Sequence, residues 1–213
     1  MPYPESHRGF LTRTQVERLR KAIDPKHVDK KQGKLSYIAQ HEARAELTRI
    51  FGYGNWDSEV VEMSFLFEYE VDPTHPEYPR DRDGKPKSDA KPLYYRACYR
   101  AGVRLNIRDY WGRPVCSFTE YHVELNSILP DRGEAHAMAV TSVESYAFRR
   151  AAIGLGDRLG LGLYDGGKET ALVAGTLQIT DKESPLYLPP AEPTQSQGTD
   201  RIQGAMNVAA DQR

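Results

Sequence analysis

Between residues 60 and 123 the chain carries three alternating runs in succession, and no other feature restricts its fold as strongly. In the first run Val61, Met63, Phe65, Phe67, Tyr69 and Val71 fall on one face and Glu62, Ser64, Glu68 and Glu70 largely on the other. This is the period of a half-buried strand. Residues 72–90 follow, with four prolines, many charges and almost nothing apolar, and read as a long, exposed and mobile hairpin loop. A second strand is predicted over Leu93 to Arg108, a turn at Asp109-Tyr110-Trp111-Gly112, and a third strand over Val115 to Val123. Three consecutive strands predict an antiparallel meander.

Helical spacing flanks the meander on both sides. Val16, Leu19, Ala22 and Ile23 predict a short amphipathic helix over Thr14 to Ile23, ending before Pro25. After the basic stretch Asp29 to Lys34, the positions Ile38, Ala45, Leu47 and Ile50 predict a second helix closing at Gly52. From Glu134 to about Arg158 runs the longest helical segment, with Val140, Val143, Ala147 and Ala151 along one stripe. Small residues there would let it lie close to a sheet. The expected fold is α+β: a three-stranded antiparallel meander packed by a long helix, a β-β-β-α core with N-terminal helices. Residues 1–10 read as an extension, 11–170 as the domain and 171–213 as a flexible tail too poor in aromatics to form a core.

Composition excludes several classes. The 213 residues are 39% hydrophobic and 28% charged, and contain no apolar run of the roughly 18 residues a membrane helix needs. The first residues lack a basic leader followed by an apolar run, which gives a cytoplasmic expectation. Two cysteines, Cys98 and Cys116, and six scattered histidines supply neither a disulfide framework nor a zinc spacing. A net charge of −1 gives no global sign of nucleic-acid binding, so such a function has to come from local charge arrangement.

One such arrangement lies on the second strand, where Arg96, Arg100, Arg104 and Arg108 recur every four residues. They project from one face, about 13 Å apart at strand rise. Tyr95, Ala97, Tyr99, Ala101, Val103, Leu105 and Ile107 form the opposite, core face. A guanidinium ladder can follow a phosphate backbone without reading bases. Equally, Glu62, Glu68 and Glu70 on the neighbouring strand could pair with several of these arginines, with Arg108 beside the turn the least exposed to neutralisation. Arg149 and Arg150, adjacent on the long helix, stand about 100° apart and could border a groove. They could also be solvated charges favoured by the helix C-terminus.

Two glycine runs imitate nucleotide sites and fail. Gly154 to Gly160 is one residue too long for a dinucleotide fingerprint and follows a helix instead of a strand. Gly162 to Lys168 has phosphate-loop spacing, but Glu169 stands where a hydroxyl should ligand magnesium. No serine elbow and no zinc-protease helix is present, and His41, His122, His136 and Cys98, placed on the polar side of its strand, read as ordinary residues. Catalysis is not expected, and no cofactor is implied.

The order of motifs resembles the single-strand annealing proteins of the Rad-fifty-two family, particularly their short phage-borne and bacterial members. The resembling pieces are Leu11-Thr12 with Gln15 through Leu35-Ser36-Tyr37-Ile38, Phe51-Gly52-Tyr53-Gly54-Asn55-Trp56, Val103 to Asp109, and Ser145 to Ala151 running on to Leu155-Gly156 and Leu163-Tyr164-Asp165. They span roughly residues 11–166 in family order. The resemblance implies assembly into rings or open helical arcs, with single-stranded DNA in a positively charged groove. It places Arg149 and Arg150 on the basic pair of an inner groove, Tyr53 on an aromatic position beside it, and Arg108 on an outer DNA site. Where a basic residue is expected shortly after Ile38 the chain has Glu42, leaving His41 or Arg44 as substitutes, and Ile153 stands where a further arginine is expected. The implied activity is ATP-independent binding of single strands and their annealing to duplex in recombination or repair. A homo-oligomer would carry it out, with a single-strand-binding protein or an exonuclease as possible partners. A metal-dependent nuclease and a non-DNA scaffold with consumed arginines are the rival readings.

Overall fold

The computed structural model describes residues 9–31, 35–165 and 170–173, with backbone alone at 29–31 and 35–36. The chain divides into two units, residues 1–175 and 176–213, and the second lies outside the described residues. So do most of the expected N-terminal extension and tail, and Lys168 and Glu169 of the phosphate-loop imitation.

Helix α1 (Arg13–Leu19) is started by a capping box in which Thr12 accepts from the Gln15 amide while the Gln15 side chain accepts from Thr12 N–H. It is shorter than the expected Thr14–Ile23. Asp24 instead caps a 3₁₀ turn over Pro25–His27, a local bond that competes with helix just before a proline. Ile23 is buried all the same.

The chain next forms a hairpin, β1 (Val28–Lys31) with β2 (Leu35–Ile38), that the sequence reading missed. Ile38, expected in the second helix, is a strand residue opposite Val28. Helix α2 (Gln40–Phe51) begins two residues later and ends at Gly52, whose φ of 83° suits glycine.

The meander is present: β3 (Trp56–Val71), β4 (Tyr94–Arg108) and β5 (Pro114–Leu125) form an antiparallel sheet in the order β3-β4-β5. Helix α3 (Arg132–Ile153) lies across one face. Ala135, Ala139, Val143, Ala147 and Ala151, four residues apart and fully buried, bring it close to the sheet, so the true stripe runs beside the expected Val140. Phe148, Leu105, Ile107, Val103, Leu47 and Leu159 form the centre of the core. The helix stops before the expected Arg158. Gly156 takes a φ of 134°, and a Cβ there would stand 2.9 Å from the Leu19 carbonyl, so a separate turn at Asp157–Leu159 packs against α1.

Strand β3 departs from simple alternation. Register shifts fall between Val60 and Glu62 and between Phe65 and Phe67, leaving Val61 and Leu66 as bulge residues. Each extra residue reverses the side-chain phase. Met63 and Phe65 therefore share the helix side with Glu68 and Glu70, whereas Phe67, Tyr69 and Val71 share the outer side with Glu59 and Glu62. The single apolar face expected over 61–71 is thus two half-faces.

The connection from β3 to β4 carries its own hydrogen bonds. Buried Tyr78 donates to the Lys91 carbonyl at 2.6 Å, and Arg80 pairs as an isolated bridge with Pro86.

Candidate nucleic-acid interface

All four ladder arginines lie on the outer face of β4, and each meets a carboxylate. Arg104 pairs with Glu59 and Arg100 with Glu62, both at 3.3 Å, and Arg100 also lies over the Tyr121 ring at 5.0 Å. Arg108 pairs with Asp57 and is not spared neutralisation, contrary to expectation. The Asp57 carboxyl is held below the usual aspartate range first by the Asn106 amide and then, against burial, by Arg108. Arg96 is only 19% exposed and donates to Glu77 at 2.7 Å, to the Asn126 carbonyl at 2.7 Å and to the Tyr69 hydroxyl at 3.2 Å. It ties strand to connection.

Of the expected acidic partners only Glu62 takes part. The bulges turn Glu68 to the other side, where it accepts from Arg132 and from His136 of α3, the latter at 2.6 Å. Those two bonds, Arg132 first, hold the Glu68 carboxyl below its usual value. His136 in turn contacts the Tyr99 hydroxyl at 2.9 Å. Cys98 is buried rather than displayed, between its cross-strand neighbours Phe67 and Leu125, and burial pushes its thiol up.

Arg149 stands in a different environment. Its guanidinium lies 4.2 Å from the ring centre of Tyr146 and 4.9 Å from that of Tyr37. Its nitrogens donate to the carbonyls of Ser145 and Ile38, both at 3.3 Å. No carboxylate among the described residues pairs with it. The missed hairpin supplies half of this setting, since Tyr37 and Ile38 belong to β2. Tyr146 continues the stack onto His122 of β5 at 4.7 Å.

Arg150 leans elsewhere. It reaches Glu120 of β5 at 3.4 Å and borders a concavity of about 210 Å³ lined also by Phe118, Ile153, Gly154 and Tyr164. Adjacent in sequence, the two arginines thus rest on different elements. Arg44 is held by Glu144 at 3.1 Å and lies 4.3 Å from the Phe148 ring centre. His41 is exposed at the start of α2, and Glu42 beside it is engaged by His27 at 2.5 Å. Tyr53 is 93% exposed in the turn between α2 and β3.

Among the described residues no group of three or more His, Cys, Asp or Glu side chains is placed to hold a metal ion, and no helix is long and apolar enough to cross a membrane. The arrangement offers instead cationic and aromatic side chains around a sheet and one long helix. That pattern suits contact with an extended polyanion carrying flat bases.

A family model for the Rad52/22 family double-strand break repair proteins matches residues 12–182. The match covers most of the chain, which belongs to that family. At family level this gives a role in DNA recombination and repair and in strand annealing. A search of curated proteins found no match.

Proposed function

We propose that the protein is a cytoplasmic, ATP-independent single-strand annealing protein. An oligomer binds single-stranded DNA by its backbone, keeps the bases available, and pairs complementary strands into duplex. The observation that carries this reading is Arg149, the one candidate arginine whose charge, among the described residues, meets tyrosine faces and carbonyls instead of a carboxylate. A guanidinium so placed is held in position while its charge stays available to a phosphate.

Assembly is supported by β3, an edge strand of the sheet with Val60, Met63, Phe65, Leu66 and Phe67 exposed. An apolar edge is the kind of surface a neighbouring protomer covers. Annealing forms and breaks no covalent bond, so the reading asks for no cofactor.

The test is fluorescence annealing of complementary oligonucleotides without nucleotide, run beside native mass measurement of the oligomer. Annealing without ATP is expected. A requirement for ATP would defeat the reading. Arg149→Ala with Arg150→Ala should lower the log-affinity versus log-salt slope by up to about 1.4, at about 0.7 per phosphate contact. Arg108→Ala, at the outer site implied by the resemblance, should leave single-strand affinity within a few-fold while slowing capture of the second strand or of duplex.

The non-DNA scaffold keeps one observation in its favour, the ion pairing of all four ladder arginines. Retention on immobilised oligonucleotide at moderate salt excludes it.

A further inference from the structure

The turn joining β4 to β5 is both tightly built and conspicuously apolar at its tip. Asp109, 3% exposed, accepts from the Trp111 and Arg113 amides at 2.9 Å and from Arg113 Nε at 2.7 Å. Its own N–H donates to the Arg113 carbonyl, and Gly112 completes the turn at φ 78°. Beneath it Gly9 donates to the Pro114 carbonyl, and a Cβ on Gly9 would lie 2.7 Å from the Arg113 carbonyl. Such bonding fixes the backbone of the turn. Yet Tyr110 is 83% and Trp111 74% exposed.

The two rings stand edge to face at 5.8 Å, and Arg113 lies over the indole at 4.9 Å. Keeping two large aromatic side chains in water on a rigid mount forgoes substantial apolar burial. We propose that Tyr110 and Trp111 form a stacking platform for the unpaired bases of single-stranded DNA, an inference that rests on the DNA-binding reading above.

Three observations favour bases over a protein partner. The exposed apolar groups at this end of the sheet are aromatic: Tyr53 joins them, because its turn is tied to β4 by the Arg108 amide donating to the Asn55 carbonyl at 2.8 Å. On β3, by contrast, the exposed set mixes Val60, Met63 and Leu66 with phenylalanines, and its aliphatic members offer no ring for a base to stack on. Finally, the only acid of the turn, Asp109, is turned inward to backbone amides and to Arg113, and Arg108 is paired with Asp57, so what the turn shows most openly to water is the pair of rings, Tyr110 and Trp111, with the two ion-paired guanidiniums at their flank. Every nucleobase offers a π-face, and guanidiniums beside it suit the adjoining phosphates.

The experiment compares an oligothymidylate with an abasic oligomer of equal length, using the full chain. Trp111→Ala should weaken oligothymidylate binding by between about 5-fold and about 150-fold, with an unchanged salt slope, because a stacking contact and no phosphate contact is lost. Trp111→Phe should recover much of it. Trp56→Phe leaves Trp111 as the sole indole, and its fluorescence should be quenched by oligothymidylate and not by the abasic oligomer. If Trp56→Phe fails to fold, the same quench is read as the difference between the parent and Trp111→Phe. Equal quenching by both oligomers, or unchanged affinity in Trp111→Ala, overturns the platform. If Trp111→Ala keeps its affinity and instead changes the native oligomer mass, the tip is a protein contact. A parent that binds neither oligomer defeats the DNA reading itself, whereas a parent that binds while Trp111→Ala binds equally defeats the platform alone.

Discussion

On the outer face of the sheet four arginines stand in a row and each is met by a carboxylate, whereas Arg149, against two tyrosine rings, is met by none among the described residues. The row has more charge and the single residue has more of its charge available. An incoming phosphate must displace Glu59 from Arg104 or Glu62 from Arg100, while at Arg149 no carboxylate among the described residues has to be displaced. Exposed ion pairs contribute about 0.2–1 kcal/mol each, so the ladder is masked and not locked.

The most direct way to break this comparison is at Arg149. Arg149→Ala should weaken single-strand binding by about tenfold to about 100-fold, the range of a hydrogen bond to a charged group. The salt slope should fall by about 0.7. Arg149→Lys keeps the charge and loses the planar stack between Tyr37 and Tyr146, so it should restore the slope and only part of the affinity. Isotherms at several salt concentrations decide it, and an Arg149→Ala protein that binds like the parent would place the DNA elsewhere.

A second test separates Arg96 from the rest of its row. It is mostly buried and donates to Asn126, Glu77 and Tyr69, so its removal leaves a carbonyl and a carboxylate short of a donor. Arg96→Ala should cost about 1–3 kcal/mol of stability in denaturant unfolding and leave DNA affinity per folded oligomer unchanged. A loss of DNA binding without a loss of stability would return Arg96 to the interface.

Unmasking should work in the opposite sense. Glu59→Gln with Glu62→Gln frees Arg104 and Arg100 while keeping side-chain size. The double variant should bind single strands up to about tenfold more tightly, with a slope steeper by up to about 1.4. If affinity and slope stay at parental values, the outer face does not meet DNA even when its charge is released.

How far the sequence reached explains why the acids facing the row were misassigned. The three strands, their order, the α+β class and the long helix follow from periodicity, because burial on one face imposes it. The bulges at Val61 and Leu66 do not, since an inserted residue changes the phase without changing the apolar and polar content of the run. Reading through them put Glu68 and Glu70 opposite the arginines and overlooked Glu59 and Asp57, which lay upstream of the expected strand start but within β3. The β1–β2 hairpin was hidden for another reason: Val28, Tyr37 and Ile38 are too few to show alternation across the polar Asp29 to Lys34. With the hairpin unseen, the aromatic setting of Arg149 was out of reach, although the adjacent arginine pair itself was legible. The Tyr110-Trp111 turn was readable as a turn; its exposure depends on Asp109 bending inward, which only the folded backbone displays.

The smallest expected effect sharpens the comparison most. Arg104→Ala removes a cation already neutralised by Glu59 at 3.3 Å, on a side chain open to water. If the pair persists when DNA binds, no counterion release depends on Arg104, and the variant should keep its single-strand affinity within about twofold and its salt slope within error. The same substitution placed in the Glu59→Gln, Glu62→Gln background should be costly, because there the guanidinium has no carboxylate and can meet phosphate. The interaction between the two changes, read as a double-mutant cycle on DNA affinity, therefore measures the masking itself. A cycle that closes to zero, with Arg104→Ala equally silent in both backgrounds, would show that the ladder is a structural feature of the sheet and not a concealed DNA surface.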